Sequence, residues 1–338
     1  MTIKHKVIFD TDPGVDDAMA LYFALAHPSI EIVGITTAFG NVTVQQATEN
    51  ALYLTRLAGR ATPVAQGTPV PLSKAPGSPP GFIHGDDGLG NLPLRHPTTG
   101  SPETCSAAEY IVKMARAYPG ELTLVAVAPL SNLGLALKIE PKLPQLLKQV
   151  VLMAGTISEP GNVSPVAEAN VWNDPDAADL VFTAGWNLTM VGLDVTHRVV
   201  MNASFFDQLA EKQQHLATDT LKHAAQFYCN FYCAIRPDLG HACYGHDVLA
   251  FVYLVAPELF TTTQGRIRVA KEGIANGQTM MDRNGTLFYP QPGWEAEKPE
   301  VRVCMQVDAN AALELISTTL NNDWLLPALL SEQQTVAA

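Results

Sequence analysis

Residues 7–18 read VIFDTDPGVDDA and place Asp10, Asp12, Asp16 and Asp17 within eight positions. Like charges this close repel, and a carboxylate buried without a partner costs several kcal/mol. A helix N-cap and first turn would account for one or two of the four. The rest call for a hard divalent cation, which prefers oxygen ligands and offsets the repulsion. An EF-hand loop is excluded, because its twelfth position must be glutamate and counting from Asp10 gives Leu21.

The elements that must position this cluster follow from the apolar pattern. VIF reads as a strand, Pro13-Gly14 as a turn, and the residues beyond as a helix. The aspartates therefore straddle the carboxyl end of a strand, where open α/β sheets carry their sites. Further strands are predicted at 30–40, 122–128, 149–155 and 188–196, with the first at 6–12. Helices are predicted at 16–27, 43–59, 130–140 and 174–184. Continuous apolar strands alternating with helices predict an α/β fold with a mostly parallel, Rossmann-like central sheet flanked by helices. Helical stretches at 203–235 and 246–256, strands at 265–272 and 301–308, and a helix at 310–320 complete the pattern. Residues 68–104 contain eight prolines and no periodicity, and a loop of that length in a compact domain is usually functional. With no repeat or linker, the expectation is a single domain over residues 1–338.

Of the 338 residues 47% are hydrophobic, enough for a large core, and the formal net charge is −12. That sign excludes a nucleic-acid binder, and no run approaches a membrane span. Nothing in MTIKHKVIFD resembles a secretion signal, so a cytoplasmic location is expected. The five cysteines form an odd, sparse set that reads as reduced thiols. Cys229, Cys233, His241, Cys243 and His246 crowd together in sequence. They lack the CxxC knuckles of structural zinc, and buried thiols are the better reading.

Two families open on such a cluster. A haloacid-dehalogenase-type phosphatase begins with an apolar strand and Asp-x-Asp, and would use Asp10 as nucleophile with Mg²⁺. Gly14 stands where that pattern wants Thr or Val. DTDPGVDDA (10–18) resembles the signature of the inosine-uridine nucleoside hydrolases more fully. TTAFGN (36–41), HGDDGLGN (84–91), TLVAVAPLSNLGLAL (123–137), GNVSPVAEANVWNDPDAAD (161–179) and YGHD (244–247) resemble its blocks in order, covering about residues 6 to 320. The AEAN form and the Tyr-x-His-Asp ending are similar to the uridine-ribohydrolase branch.

The resemblance implies hydrolysis of the N-glycosidic bond of ribonucleosides, uridine and inosine among them, in nucleoside salvage. The reaction passes through an oxocarbenium-like ribose. The resemblance implies one Ca²⁺ per chain, held by Asp12, Asp17, Asp247 and the backbone carbonyl of Val127, with Asp10 behind them. Asp12 would take the proton of a water activated by the ion. Asp16, Asn41, Asn162, Glu168 and Asn170 match the family's ribose contacts. His246 would protonate the departing base. Tyr228, Tyr232 and Arg236, spaced four apart on a helix face, would meet that base, and His84 in the proline-rich loop would close over it.

Two departures bear on base preference. Ala169 stands where many members carry an aromatic residue, and the stretch from Arg236 to His246 is longer than in the inosine-uridine members. A homodimer or homotetramer is implied as well. A non-catalytic, calcium-dependent nucleoside-binding protein is a further alternative, but simple binding would not require Asp12, His246 and Asp247 together.

Overall fold

The computed structural model describes residues 5–283, 289–295 and 298–331. Its strands are β1 His5–Thr11, β2 Ile30–Thr37, β3 Val64–Gln66, β4 Leu122–Ala126, β5 Gln149–Leu152 and β6 Leu188–Met190. They continue as β7 Val200–Asn202, β8 Ala242–Tyr244, β9 Phe260–Val269, β10 Thr279–Asp282 and β11 Val301–Val307. Nine of them form one sheet in the order β10-β9-β11-β6-β5-β4-β1-β2-β3, and β7 pairs with β8 apart from it. Strands β3, β2, β1, β4, β5, β6 and β11 run parallel, while β9 is antiparallel to both its neighbours. This is the single-domain α/β fold with a large, mostly parallel central sheet that the apolar pattern predicts.

Successive side chains of a strand point to opposite faces, and both faces of this sheet are covered. Val7, Phe9, Val125 and Val151 enter one core with helices Val15–Ala26, Leu216–Ile235, Val248–Val255 and Ala309–Leu320. Ile8, Leu124, Ala126 and Val150 enter the other with helices Ala107–Ala117, Ser131–Ile139 and Pro175–Phe182. The Phe9 ring meets that of Phe251 edge-on at 5.0 Å, seating helix Val248–Val255 on β1. Truncating such a buried Phe to Ala costs about 3–5 kcal/mol.

Strand β1 lies between β2 and β4, with Asp10 in register with Thr36 on one side and Ala126 on the other. The chain leaves β1 to one side and returns on the other, so a crevice opens at the carboxyl ends of β1 and β4. The aspartates follow β1 into that crevice.

Some elements differ from the expectation. The stretch 188–196 is not one strand: β6 ends at Met190, and Leu193–Thr196 is a short helix. At Gly192 the backbone passes so near its neighbour that a Cβ would stand 2.6 Å from the Gly155 carbonyl oxygen. Asp194 then accepts from the Ile157 and Ser158 N–H groups at 2.8 and 2.7 Å, which needs the turn. The helical stretch 203–235 is two helices, Ala203–Gln213 and Leu216–Ile235, divided where Gln214 takes a left-handed conformation at φ 48°. Residues 68–104 hold one short helix, Gly81–His84, and are otherwise irregular. Among the described residues, no helix is long and apolar enough to cross a membrane.

Candidate active site

Each aspartate of the opening cluster has a different environment. Asp10, wholly buried, accepts at Oδ1 from Thr36 Oγ1 (2.6 Å) and Asn132 Nδ2 (2.8 Å), while its Oδ2 has no partner. Burial pushes its pKa up to about 7 against those hydrogen bonds. Asp12 accepts at Oδ2 from the Asn41 N–H (2.7 Å), and its buried Oδ1 is unpartnered. Asp17 lies at the third position of helix Val15–Ala26. Its oxygens accept from Thr11 Oγ1, the Asp12 N–H (3.2 Å), the Gly14 N–H (2.9 Å) and Asn41 Nδ2 (2.9 Å). Asp16 faces the other way. Its Oδ2 accepts from Tyr228 OH at 3.3 Å and its Oδ1 is buried without a partner.

Asp247, at the N-terminus of helix Val248–Val255, closes the cluster from a distant segment. Oxygens of Asp16, Asp17 and Asp247 lie within 4.8 Å of one another. Asp12 stands beside this triad and outside that limit, whereas Asp16, expected at the ribose, belongs to it. Burial first, then mutual repulsion, pushes the carboxyls of Asp12, Asp16 and Asp247 up. The unpartnered oxygens of Asp12 and Asp16 and an all-oxygen donor set fit a hard divalent cation, which would relieve both effects.

A cavity of about 520 Å³ opens above the triad. It is lined by Asp16, Asn41, His84, Val127, Asn162, Glu168, Asn170, Tyr228, Tyr232, Arg236, His246 and Asp247. Twelve of the fourteen expected site residues thus share one cavity, with Asp12 and Asp17 behind its wall. The carbonyl of Val127 already accepts from Asn170 Nδ2 at 2.8 Å, and its second lone pair remains for a cation. Glu168 caps the short helix Ala169–Asn173, accepting from the N–H groups of Asn170 (2.8 Å), Val171 (3.1 Å) and Gly155 (2.8 Å). Asn162 lies at the surface and accepts from the Ala169 N–H at 2.9 Å.

His246 is buried between two hydroxyls, with Thr196 Oγ1 2.8 Å from Nδ1 and Tyr232 OH 3.0 Å from Nε2. Burial, then the neighbouring His197 and His84, pushes its pKa well below the ordinary histidine value, so the ring is neutral near pH 7. Tyr232 OH stands 3.4 Å from Tyr228 OH, which donates to Asp16. His84 accepts from the Val15 N–H at 3.2 Å and stacks on Tyr228, with ring centroids 5.3 Å apart. Burial lowers its pKa to about 3. Arg236 does not extend the helix face of the two tyrosines. The helix ends at Ile235, and the Arg236 guanidinium turns to Asp238 (2.7 Å) and Tyr244 OH (2.9 Å) at the cavity edge.

The cavity also contains residues that the sequence did not single out. Phe82, Phe231 and Trp172 supply aromatic walls, and His197 and Tyr244 stand beside His246. Of the cysteine group only Cys229 and Cys243 meet, buried and in side-chain contact, whereas Cys233 faces solvent and His241 bonds to Asn230.

A parallel sheet with buried carboxylates at its switch point, beside a cavity, suits a protein that binds a divalent cation and a small polar ligand. Residues 7–314 match the inosine-uridine preferring nucleoside hydrolases, and the chain belongs to that family of enzymes, which hydrolyse N-glycosidic bonds. It is similar to a probable uridine nucleosidase of Arabidopsis thaliana, 41% identical over 94% of this chain and 98% of the relative. An inosine-uridine preferring nucleoside hydrolase of Leishmania major is 35% identical over 86% and 90%. Among solved structures, a plant nucleoside hydrolase superposes with a TM-score of 0.89 at 34% identity, covering 94% of this chain and 99% of the other. A purine-preferring ribonucleoside hydrolase from Gardnerella vaginalis gives 0.83 at 33%, covering 94% and 98%. Enzymes of the family are metal-dependent, which agrees with the acidic triad.

Proposed function

We propose that this protein is a calcium-dependent ribonucleoside hydrolase that releases free base and ribose from uridine and inosine, serving nucleoside salvage. The observation that carries this reading is the convergence of Asp16, Asp17 and Asp247, with Asp12 beside them and unpartnered buried oxygens on Asp12 and Asp16, at the cavity that His246 lines. Asp12, Asp17, Asp247 and the Val127 carbonyl would hold Ca²⁺, with Asp16 next to it. The ion, when bound, supplies Lewis acidity that lowers the pKa of a water in its shell.

The remaining work belongs to the chain. Asp12 takes the proton of the attacking water at its unpartnered Oδ1. Asp16, Asn41, Asn162, Glu168 and Asn170 bind the ribose hydroxyls, and the carboxylates stabilise the positive charge that develops on the sugar. A sugar lacking a hydroxyl would leave buried polar groups unpaired, so deoxyribosides are expected to be poor substrates. His246 moves a proton to the departing base. As a neutral ring it donates from one nitrogen and accepts at the other, between Thr196 and Tyr232. Tyr228, Tyr232 and His84 face the base, with Arg236 at the cavity edge and His84 carried by the loop 68–104, which gives that loop its function.

Names of relatives divide between uridine, inosine-uridine and pyrimidine-specific activities, and uridine is common to the first two. Free thiols at all five cysteines agree with a reducing, cytoplasmic setting, and a homodimer or homotetramer is the expected assembly. The test is release of free ribose from a nucleoside panel, against phosphate from a phosphomonoester. Both are measured after chelation and again with Ca²⁺, Mg²⁺ or Zn²⁺ restored. Ribose release restored by Ca²⁺ supports the reading. Phosphate release would favour the Asp10-based phosphatase, and nucleoside binding without turnover would make the protein a binder.

A further inference from the structure

Asn50 lies on helix Val44–Leu57, away from the cavity lining, and is wholly buried. Its amide joins two segments of the site that have no sequence relation. Nδ2 donates to the carbonyl of Pro13, next to Asp12, and to the carbonyl of Asp87, three residues beyond His84, both at 2.8 Å. Oδ1 accepts from Gln46 Nε2 at 2.9 Å and from the Arg95 guanidinium. Two donors against the oxygen and two acceptors against the nitrogen leave the amide a single favourable orientation. Arg95 is held in turn over the Tyr53 ring, 4.6 Å from its centre.

Both segments held by Asn50 are compact. The Asp12-Pro13-Gly14 turn is closed by Asp17. Residues 84–92 wrap around Asp87, whose carboxylate accepts from the N–H groups of Leu89 (2.9 Å), Asn91 (2.8 Å) and Leu92 (2.9 Å). Their approach is close: at Gly88, with φ +79°, a Cβ would stand 2.8 Å from Asn50 Nδ2 and 2.9 Å from the Pro13 oxygen.

We propose that Asn50 is a positioning residue for the reaction, setting the separation between the aspartate turn and the His84 segment. It touches neither substrate nor cation and acts through Pro13 and Asp87. The role in turnover rests on the nucleoside hydrolase reading above, while the clamp itself does not.

Asn50→Asp retains the shape and the acceptor but turns an oxygen toward two carbonyls. Gly88→Ala loads the same contact from the opposite side. Each variant is compared with wild type in three ways: kcat and KM per folded chain on uridine, Ca²⁺ affinity by calorimetry, and hydrogen exchange of the amides at 84–92. Misplacement by about 1 Å costs about 10²-fold in rate. The expected result is a loss of kcat/KM of that order with kcat falling and KM rising together, weaker Ca²⁺ binding, and faster exchange at 84–92. A purely structural role would lower the melting temperature while leaving kcat, KM and Ca²⁺ affinity of the folded chains at wild-type values, and that result overturns the proposal. If Asn50→Asp does not fold, Gly88→Ala decides alone by the same outcomes. If wild-type protein releases no ribose, the nucleosidase reading fails. Exchange and Ca²⁺ affinity then still judge the clamp, and wild-type values in both variants would sink it.

Discussion

Tyr232 and His246 meet hydroxyl to ring nitrogen at 3.0 Å, fourteen residues apart in the chain and both buried. Their contact lies within a line of polar groups running from Thr196 through His246, Tyr232 and Tyr228 to Asp16. Burial holds the imidazole neutral and both phenols protonated, since it pushes the histidine down and the tyrosines up. The line joins the imidazole to a carboxylate through neutral groups alone.

This gives a prediction for His246 that depends on the leaving group. Uridine and inosine release bases that need a proton, so His246→Ala should cost about 10²–10⁴-fold in kcat. A p-nitrophenyl riboside departs as a stable phenolate, and on it the variant should stay near wild type. Ribose and cation contacts cancel in the comparison. Equal losses on both substrates would mean that His246 positions Asp247 and donates nothing.

Metal content is the second expectation. Purified protein should carry about one Ca²⁺ per chain, and Asp17→Ala should lose both metal and activity, because Asp17 also orders the turn through Gly14 and Asn41. Zinc in place of calcium by elemental analysis, or full activity after chelation, would contradict the assignment.

Asp10 and Asp12 should respond unequally to loss of charge. Each keeps one unpartnered oxygen, but Asp10 is tied by its other oxygen to Thr36 and Asn132 beneath the cavity, whereas Asp12 stands beside Asp17 of the acidic triad. Asp12→Asn should therefore lower ribose release by about 10²–10⁴-fold and be the more damaging change. An inactive Asp10→Asn beside a fully active Asp12→Asn would reverse the roles.

Acid stability offers a check on His84. Its folded pKa lies near 3, below the unfolded value of 6.5. As pH falls below 6.5 the unfolded chain takes up a proton that the folded chain refuses, so stability is lost on acidification. Between pH 7 and 5, wild type should lose about 1–2 kcal/mol more than His84→Gln in denaturant unfolding. Parallel stability curves for the two proteins would show that His84 is not held neutral.

The parts of the site that were legible in the sequence are those set by local pattern. The run VIF, the Pro13-Gly14 turn and the apolar helix after Asp17 put the aspartates at a strand end whatever the remainder does. Asn41, Glu168 and Asn170 were legible because each sits in a block of ordered motifs. Val127 would act through its backbone carbonyl, which leaves no side-chain signal, and its place rests on resemblance. The break at Gln214 was hidden because a left-handed glutamine carries no compositional mark. Helix Ala107–Ala117 had its signal in the Ser106 and Glu109 capping box, masked by the irregular residues before it. Asn50 had none, because its role depends on two carbonyls brought to it by tertiary packing.

The cavity wall has two origins. Its acidic floor stands on β1, the helix after it and the start of helix Val248–Val255, all packed into the sheet. Its rim comes from Phe82 in the short helix Gly81–His84, Val163 in an irregular segment, and Phe231 and Ile235 near a helix end, with Phe82 71% exposed and Ile235 56%. Substitutions on that rim disturb little buried structure, while a change in the floor disturbs the fold and the carboxylates together. Selection, natural or in a laboratory library, can therefore retune which base is accepted while inheriting the bond-breaking apparatus unchanged.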